Sequence, residues 1–181
     1  HFLFNTLNLI VNEITRNPVV AKELVYTLSD LLRTTVRLAQ MQWVSVEQEL
    51  GVLELYLLLQ QKRFKERLAF DIDSPPALNE KMFPSLLLLP VVENAIKHGV
   101  APYSKKAYIS VNVEIIDGYF EIEVNDTGER VENSEITYGN GMRILDETLS
   151  LHFNSDYNIT FISSEEGGCM CIRFPDKQES Q

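Results

Sequence analysis

The chain has 181 residues, 45% of them hydrophobic, and a formal net charge of −10. The apolar share supports a packed core and excludes an intrinsically disordered chain. The acidic balance excludes a protein whose main task is gripping nucleic-acid backbone, which needs a basic footprint. It leaves room for a phosphate ligand, because a local pocket can be built from backbone N–H groups and one lysine.

The first 67 residues contain one glycine, Gly51, and one proline, Pro18, and are helical in pattern. Residues 2–14 carry Phe4, Leu7, Ile10, Val11 and Ile14 at helical spacing. Asn17-Pro18 ends that helix, since the residue before proline avoids the α region. A second helix is predicted over 19–39, with Leu24, Leu28, Leu31, Leu32, Val36 and Leu38 as its apolar set. Ser45 with Gln48 three residues on forms a capping-box pattern that opens a third helix over 46–65.

The remainder alternates strand and helix. Leu68, Phe70 and Ile72 alternate with Ala69, Asp71 and Asp73, a half-buried strand ended by Ser74-Pro75-Pro76. Residues 83–98 are predicted as a helix that Pro90 kinks or restarts. Alternation over 107–116 and 119–125, joined by Asp117-Gly118, predicts a hairpin. Residues 127–140 are expected to be a polar, mobile loop, and Met142, Leu145 and Leu149 to mark a short helix. A last hairpin is predicted from 157–163 and 169–174, with Met170, Ile172 and Phe174 on one face. Cys169 and Cys171 share the other face and are expected to be ordinary strand thiols rather than a disulfide framework or metal clamp. The organisation expected is α+β: helical residues 1–67, an α/β domain over 68–176, and a disordered tail, 177–181.

No apolar run reaches membrane-spanning length; the longest, residues 86–92, contains Pro90. No signal peptide is visible. The sequence starts at His1 rather than Met, inside a helical pattern, so it is expected to be a piece of a longer protein.

Three clusters carry chemistry. Asn94, Lys97 and His98 stand at i, i+3 and i+4, on one helical face. An amide oxygen can ligate Mg²⁺ and a Lys or His can meet phosphate oxygens; the same pattern also fits a solvated face with a Glu93–Lys97 pair. Asn125-Asp126-Thr127-Gly128 follows an alternating strand. A carboxylate there can accept the exocyclic amine of adenine while Gly128 lets the ring approach, and the same residues fit a plain turn. Gly139-Asn140-Gly141 opens a helix and fits either a phosphate site at a helix N-terminus or a flexible joint.

In order and context these clusters resemble the N, D and glycine-rich boxes of the histidine-kinase/gyrase/chaperone ATPase fold, a two-layer α/β sandwich. The opening His1-Phe2-Leu3-Phe4-Asn5-Thr6-Leu7-Asn8 is similar to the "HFLFN" phosphoacceptor motif of the LytS/YehU-like sensor histidine kinases. Leu89-Pro90-Val91-Val92-Glu93-Asn94-Ala95-Ile96-Lys97-His98-Gly99 resembles that family's N box, and Lys62-Arg63-Phe64 with Arg67-Leu68 its helix-to-strand junction. The likeness covers nearly the whole chain.

The resemblance implies ATP-dependent autophosphorylation on His1, followed by transfer to an aspartate of a response regulator. Asn94 would hold Mg²⁺, with Glu93 beside the metal, and Lys97 and His98 would approach the phosphates. Asp126 would read adenine with Gly128 allowing close approach, and Gly139 and Gly141 would close on the phosphates. Asn5 lies one turn after His1, where it could orient a water or pack. Residues 1–41 would form a helical hairpin that pairs with a second copy in a four-helix core. The piece would be the cytoplasmic portion of a cell-membrane receptor, attached only through an upstream segment. Two positions depart from wider patterns. Arg130 stands where the D box has a second glycine, and Phe2 where many histidine kinases carry an acid, so the sequence names no general base. A weakly ATP-binding regulator of the same fold and a clamp-type ATPase are the other readings. Heading its helix without a preceding turn, His1 is expected to fray and to accept phosphate poorly.

Overall fold

The computed structural model describes residues 1–102, 105–128, 140–164 and 167–176. Two helices, α1 (Phe2–Arg16) and α2 (Pro18–Leu38), form an antiparallel hairpin, and α3 (Val46–Phe64) packs beside it. Pro18 sits in the first turn of α2, where its missing N–H costs nothing, and the Asn17 side chain accepts from Val20 N at 3.3 Å. Ser45 Oγ accepts from Gln48 N at 3.1 Å and Gln48 Oε1 from Ser45 N at 3.0 Å, closing the capping box. We expect Ser45→Ala to cost about 1 kcal/mol in urea unfolding, the ordinary value of such a cap.

The main sheet has the order β2-β4-β5-β7-β6. It comprises β2 (Leu68–Asp73), β4 (Ala107–Ile116), β5 (Tyr119–Asp126), β6 (Asn158–Ser164) and β7 (Gly167–Pro175). β2 runs parallel to β4 and the other neighbours are antiparallel. Asp117 and Gly118 both take positive φ between β4 and β5, which a two-residue turn of this hand requires. Register sets Val124 between Val111 and Met170, and Ile122 between Val113 and Ile172. These buried residues face α4 (Leu89–Ala95) and α5 (Asn140–Phe153), giving a two-layer α/β sandwich in an α+β chain. Phe83, Phe120, Phe153 and Phe174 form an aromatic knot, with Phe83 4.7 Å from Phe120 and Phe153 5.0 Å from Phe174.

Four features depart from the sequence reading. Residues 83–98 are not one helix: β3 (Met82–Pro84) comes first, then a turn with Leu86 at φ 55°, then α4. Pro90 falls in the first turn of α4, the restart that the sequence reading allowed. After Ala95 the backbone widens into a π turn, Ile96–Val100, with Ala101 N donating to Ile96 O at 2.9 Å. The strand β1 (Trp43–Ser45) pairs antiparallel with β3, so residues just ahead of α3 join a two-stranded ribbon with residues of the α/β layer. On α1, Ile10 is buried while Phe4, Leu7, Val11 and Ile14 are exposed; on α2, Leu24, Leu28, Leu31 and Leu38 are buried while Leu32 and Val36 are exposed. Among the described residues no helix is long and apolar enough to cross a membrane.

Candidate functional site

The sequence clusters meet around α4. At its start, a Cβ on Gly141, the second residue of α5, would come into contact with Pro90. At its end, Gly99 lies against the Asp126 carboxylate so closely that a Cβ there would overlap it. A Cβ on Gly128 would in turn overlap the backbone of Gly99. Asp126, the last residue of β5, is buried, and its Oδ1 accepts from Gly128 N at 3.2 Å. Thr127 fixes the turn by bonding Tyr108 twice: Thr127 N donates to Tyr108 O at 3.1 Å and Thr127 Oγ1 accepts from Tyr108 N at 2.8 Å. Thus Asp126, Gly128 and Gly99 form one tight junction, with half-buried Asn94 one turn earlier on α4. Gly139 and Arg130 lie outside the described residues.

The face expected to hold Asn94, Lys97 and His98 together is divided. Glu93 and Lys97 line a cavity of about 570 Å³ between α1, α3 and α4, whose wall also includes His1, Gln60 and Arg63. Asn94 and His98 each follow one of these residues and are turned by about 100° along a helix. The Glu93–Lys97 ion pair allowed by the spacing is not formed among the described residues.

His1 precedes α1, its carbonyl accepts from Asn5 N at 3.1 Å, and its Nδ1 lies 3.0 Å from the Asn5 side-chain amide. Both contacts come from the residue one turn on. The Asn5 amide N–H donates in this contact and Nδ1 accepts, which orients the imidazole. Burial raises the Glu93 carboxyl above its ordinary value. Tyr56 Oη accepts from Gln60 Nε2 at 2.7 Å, and its ring lies 4.9 Å from that of Phe2. Burial, then the nearby Glu93 charge, raises this phenol well above its usual range.

Sequence reasoning missed Glu49. It lies on the buried face of α3, 1% exposed, and its carboxylate accepts from Leu86 N at 2.9 Å and Leu88 N at 2.8 Å. Leu88 is the cap of α4, so an acid on α3 fixes where α4 begins. Burial is the larger influence and pushes this carboxyl up to about 7, against the backbone N–H groups that favour the charged form. The available signal was an acid at helical spacing among Val46, Val52 and Leu53. Cys169 and Cys171 share a face, with Sγ atoms 3.4 Å apart, and burial pushes the Cys169 thiol up to about 12.

A helical hairpin joined to a two-layer sandwich, with these motifs gathered on one helix, defines the histidine-kinase/gyrase/chaperone nucleotide-binding fold. The "Histidine kinase" family model matches residues 1–68. Sensor histidine kinase YpdA of Escherichia coli (strain K12) is 36% identical over 153 residues, 80% of this chain and 27% of that protein. Sensor protein LytS of Oceanobacillus iheyensis is 30% identical over 132 residues, 73% of this chain and 23% of that protein. The histidine kinase domain of the blue-light activated kinase from Erythrobacter litoralis EL346 superposes with a TM-score of 0.57 at 13% identity, covering 87% of each chain, a likeness of fold. The chain belongs to the sensor histidine kinases, in their LytS/YehU-like group. It spans about a quarter of the length of these two curated relatives, 27% and 23%.

Proposed function

We propose that the chain is the catalytic portion of a two-component sensor kinase, which phosphorylates His1 from ATP and passes the phosphoryl group to a response-regulator aspartate. The observation that carries this reading is the convergence on α4. Asp126, Gly128 and Gly141 gather at its two ends, Asn94 lies between them, and the same helix reaches through Glu93 and Lys97 into the cavity that His1 lines. Asp126 would accept the adenine amine, with Gly128 allowing the base close. Lys97 and His98 would meet phosphate oxygens, and Gly139 and Gly141 would close over them.

Among the described residues no group of three or more His, Cys, Asp or Glu could hold a metal ion by itself. That suits Mg²⁺, which keeps waters and binds through substrate phosphates with one or two protein oxygens. The Asn94 amide oxygen would be that ligand, with the Glu93 carboxylate beside it, and the ion would supply charge neutralisation. Asn5 would orient the acceptor imidazole through its contact with Nδ1. Positioning and neutralisation would account for most of the rate, as is general for phosphoryl transfer.

A second copy would cover the apolar stripe of Phe4, Leu7, Val11 and Ile14 on α1 together with Leu32 and Val36 on α2, forming a four-helix dimer core. Residues 1–67 and 68–176 would then move relative to one another, with the receptor's membrane segment attached upstream and this portion in the cytoplasm.

The test is incubation with γ-labelled ATP and Mg²⁺, beside calorimetric titration of nucleotide. The protein is expected to take up acid-labile, alkali-stable phosphate that His1→Ala abolishes, and Asn94→Ala is expected to weaken nucleotide binding and labelling together. Absence of adenine-nucleotide binding at millimolar concentration would overturn the kinase reading and favour a regulator acting through dimerisation. Steady hydrolysis without phosphohistidine would favour a clamp-type ATPase.

A further inference from the structure

The cavity of about 570 Å³ is walled by one chain: His1 and Phe2 from α1, Tyr56, Gln60 and Arg63 from α3, and Glu93 and Lys97 from α4 and its π turn. The Phe2 and Tyr56 rings meet at a tilt of 45° and line its apolar side. Its charges are two cations, Arg63 and Lys97, and one acid, Glu93. Among the described residues neither cation has a carboxylate within ion-pair distance.

Arg63 is half-buried, near the end of α3, and its Cζ lies 4.6 Å from the centre of the Phe64 ring. Its Nη1 donates to Gln60 Oε1 at 3.4 Å, which uses one of five guanidinium donors. The ring contact and the Gln60 bond orient a planar fork in the cavity that holds the acceptor imidazole. A phosphoryl group in transfer spreads negative charge over three equatorial oxygens, and such a fork meets two of them at once.

We propose that Arg63 is a catalytic residue of the phosphoryl transfer, its guanidinium holding the group that passes from ATP to His1 while Lys97 faces it from α4. This rests on the reading of His1 as acceptor. In the step, a lone pair of the His1 imidazole forms the N–P bond. The bond from phosphorus to the β,γ-bridging oxygen breaks, and its electron pair leaves with ADP. The proton on the other ring nitrogen is afterwards released to water. The role differs from nucleotide binding, because Arg63 lies on α3 and the adenine and metal residues lie on β5 and α4.

The experiment is single-turnover labelling of His1 at saturating Mg-ATP, with ADP affinity by calorimetry and the urea midpoint measured on the same preparations. Arg63→Gln is expected to slow labelling by about 100-fold, the usual loss for one charge-stabilising donor, with ADP affinity and midpoint unchanged. Arg63→Lys, which keeps stem and charge, is expected to recover part of the rate. Lys62→Ala, at the neighbouring residue whose ammonium pairs with Glu23, is expected to label like the parent. A Gln variant as fast as the parent overturns the proposal, as does a loss of rate matched by an equal loss of ADP affinity. A Lys variant at the full parental rate beside an unfolded Gln variant also overturns it, since Arg63 is then structural. A parent that takes up no label on His1 removes the acceptor reading itself, an outcome distinct from label that is indifferent to Arg63.

Discussion

Glu49→Gln will remove a downward slope in the pH dependence of stability between pH 4.5 and about 7. The carboxyl is raised in the folded chain from 4.5 to about 7 by burial. Within that window the folded protein keeps a proton that the unfolded chain has released, so rising pH favours unfolding. The contribution is fully present below pH 4.5 and is lost as pH rises through the folded value. It amounts to about 3 kcal/mol over the window. Urea unfolding of parent and variant at a series of pH values isolates it, because the other titrating groups cancel in the difference. A difference that stays flat from pH 4.5 to 7 would show that Glu49 is solvated. Glu49→Ala will leave the N–H groups of Leu86 and Leu88 without their acceptor, at about 1–3 kcal/mol for each buried group. Because Leu88 caps α4, the alanine variant should also bind nucleotide more weakly.

The second large effect is expected at Gly99. Alanine there overlaps the Asp126 carboxylate, so either the carboxylate turns away or the π turn moves. Overpacking of this kind costs about 1–3 kcal/mol in stability. If Asp126 reads adenine as proposed, displacing the carboxylate would also forfeit a charge-assisted hydrogen bond worth about 1.5–3 kcal/mol, which is roughly a 10- to 150-fold loss of nucleotide affinity. Calorimetry with ADP and a urea curve on the same preparation read the two effects separately. Gly51→Ala is the matched control, since a Cβ at Gly51 meets nothing within 4 Å. Unchanged ADP affinity in Gly99→Ala would remove Asp126 from the adenine site.

Much of the fold was legible because its signals are local. Alternation in β4, β5 and β7 places Val111, Ile122 and Met170 inside, and the Ser45–Gln48 pair marks the start of α3 within a residue. The parts that were not legible depend on distant partners. β1 and β3 are three residues each, too short to show a period, and exist because Val44 and Phe83 pair across the intervening helix α3 and strand β2. The π turn after Ala95 has no composition of its own; it is visible only with Asp126 pressed on Gly99. On α1 the apolar spacing was read correctly, yet only Ile10 of that set is buried in the single chain. The three motifs were singled out by their order, whereas Glu49 and the place of Arg63 in a cavity were not. Their partners, Leu86 and Leu88 for one and the His1 cavity for the other, come from other elements.

The junction of Gly99, Asp126 and Gly128 also bears on how this sequence can drift. A side chain gained at one glycine is often accommodated by shrinking its neighbour, but glycine has nothing left to shrink. An alanine at 128 meets the backbone of Gly99, and an alanine at 99 meets the side chain of Asp126. Relief for residue 99 would come at Asp126, and taking it would discard the carboxylate. The three positions therefore change together or not at all, and mutational libraries of this segment should return them as one linked unit.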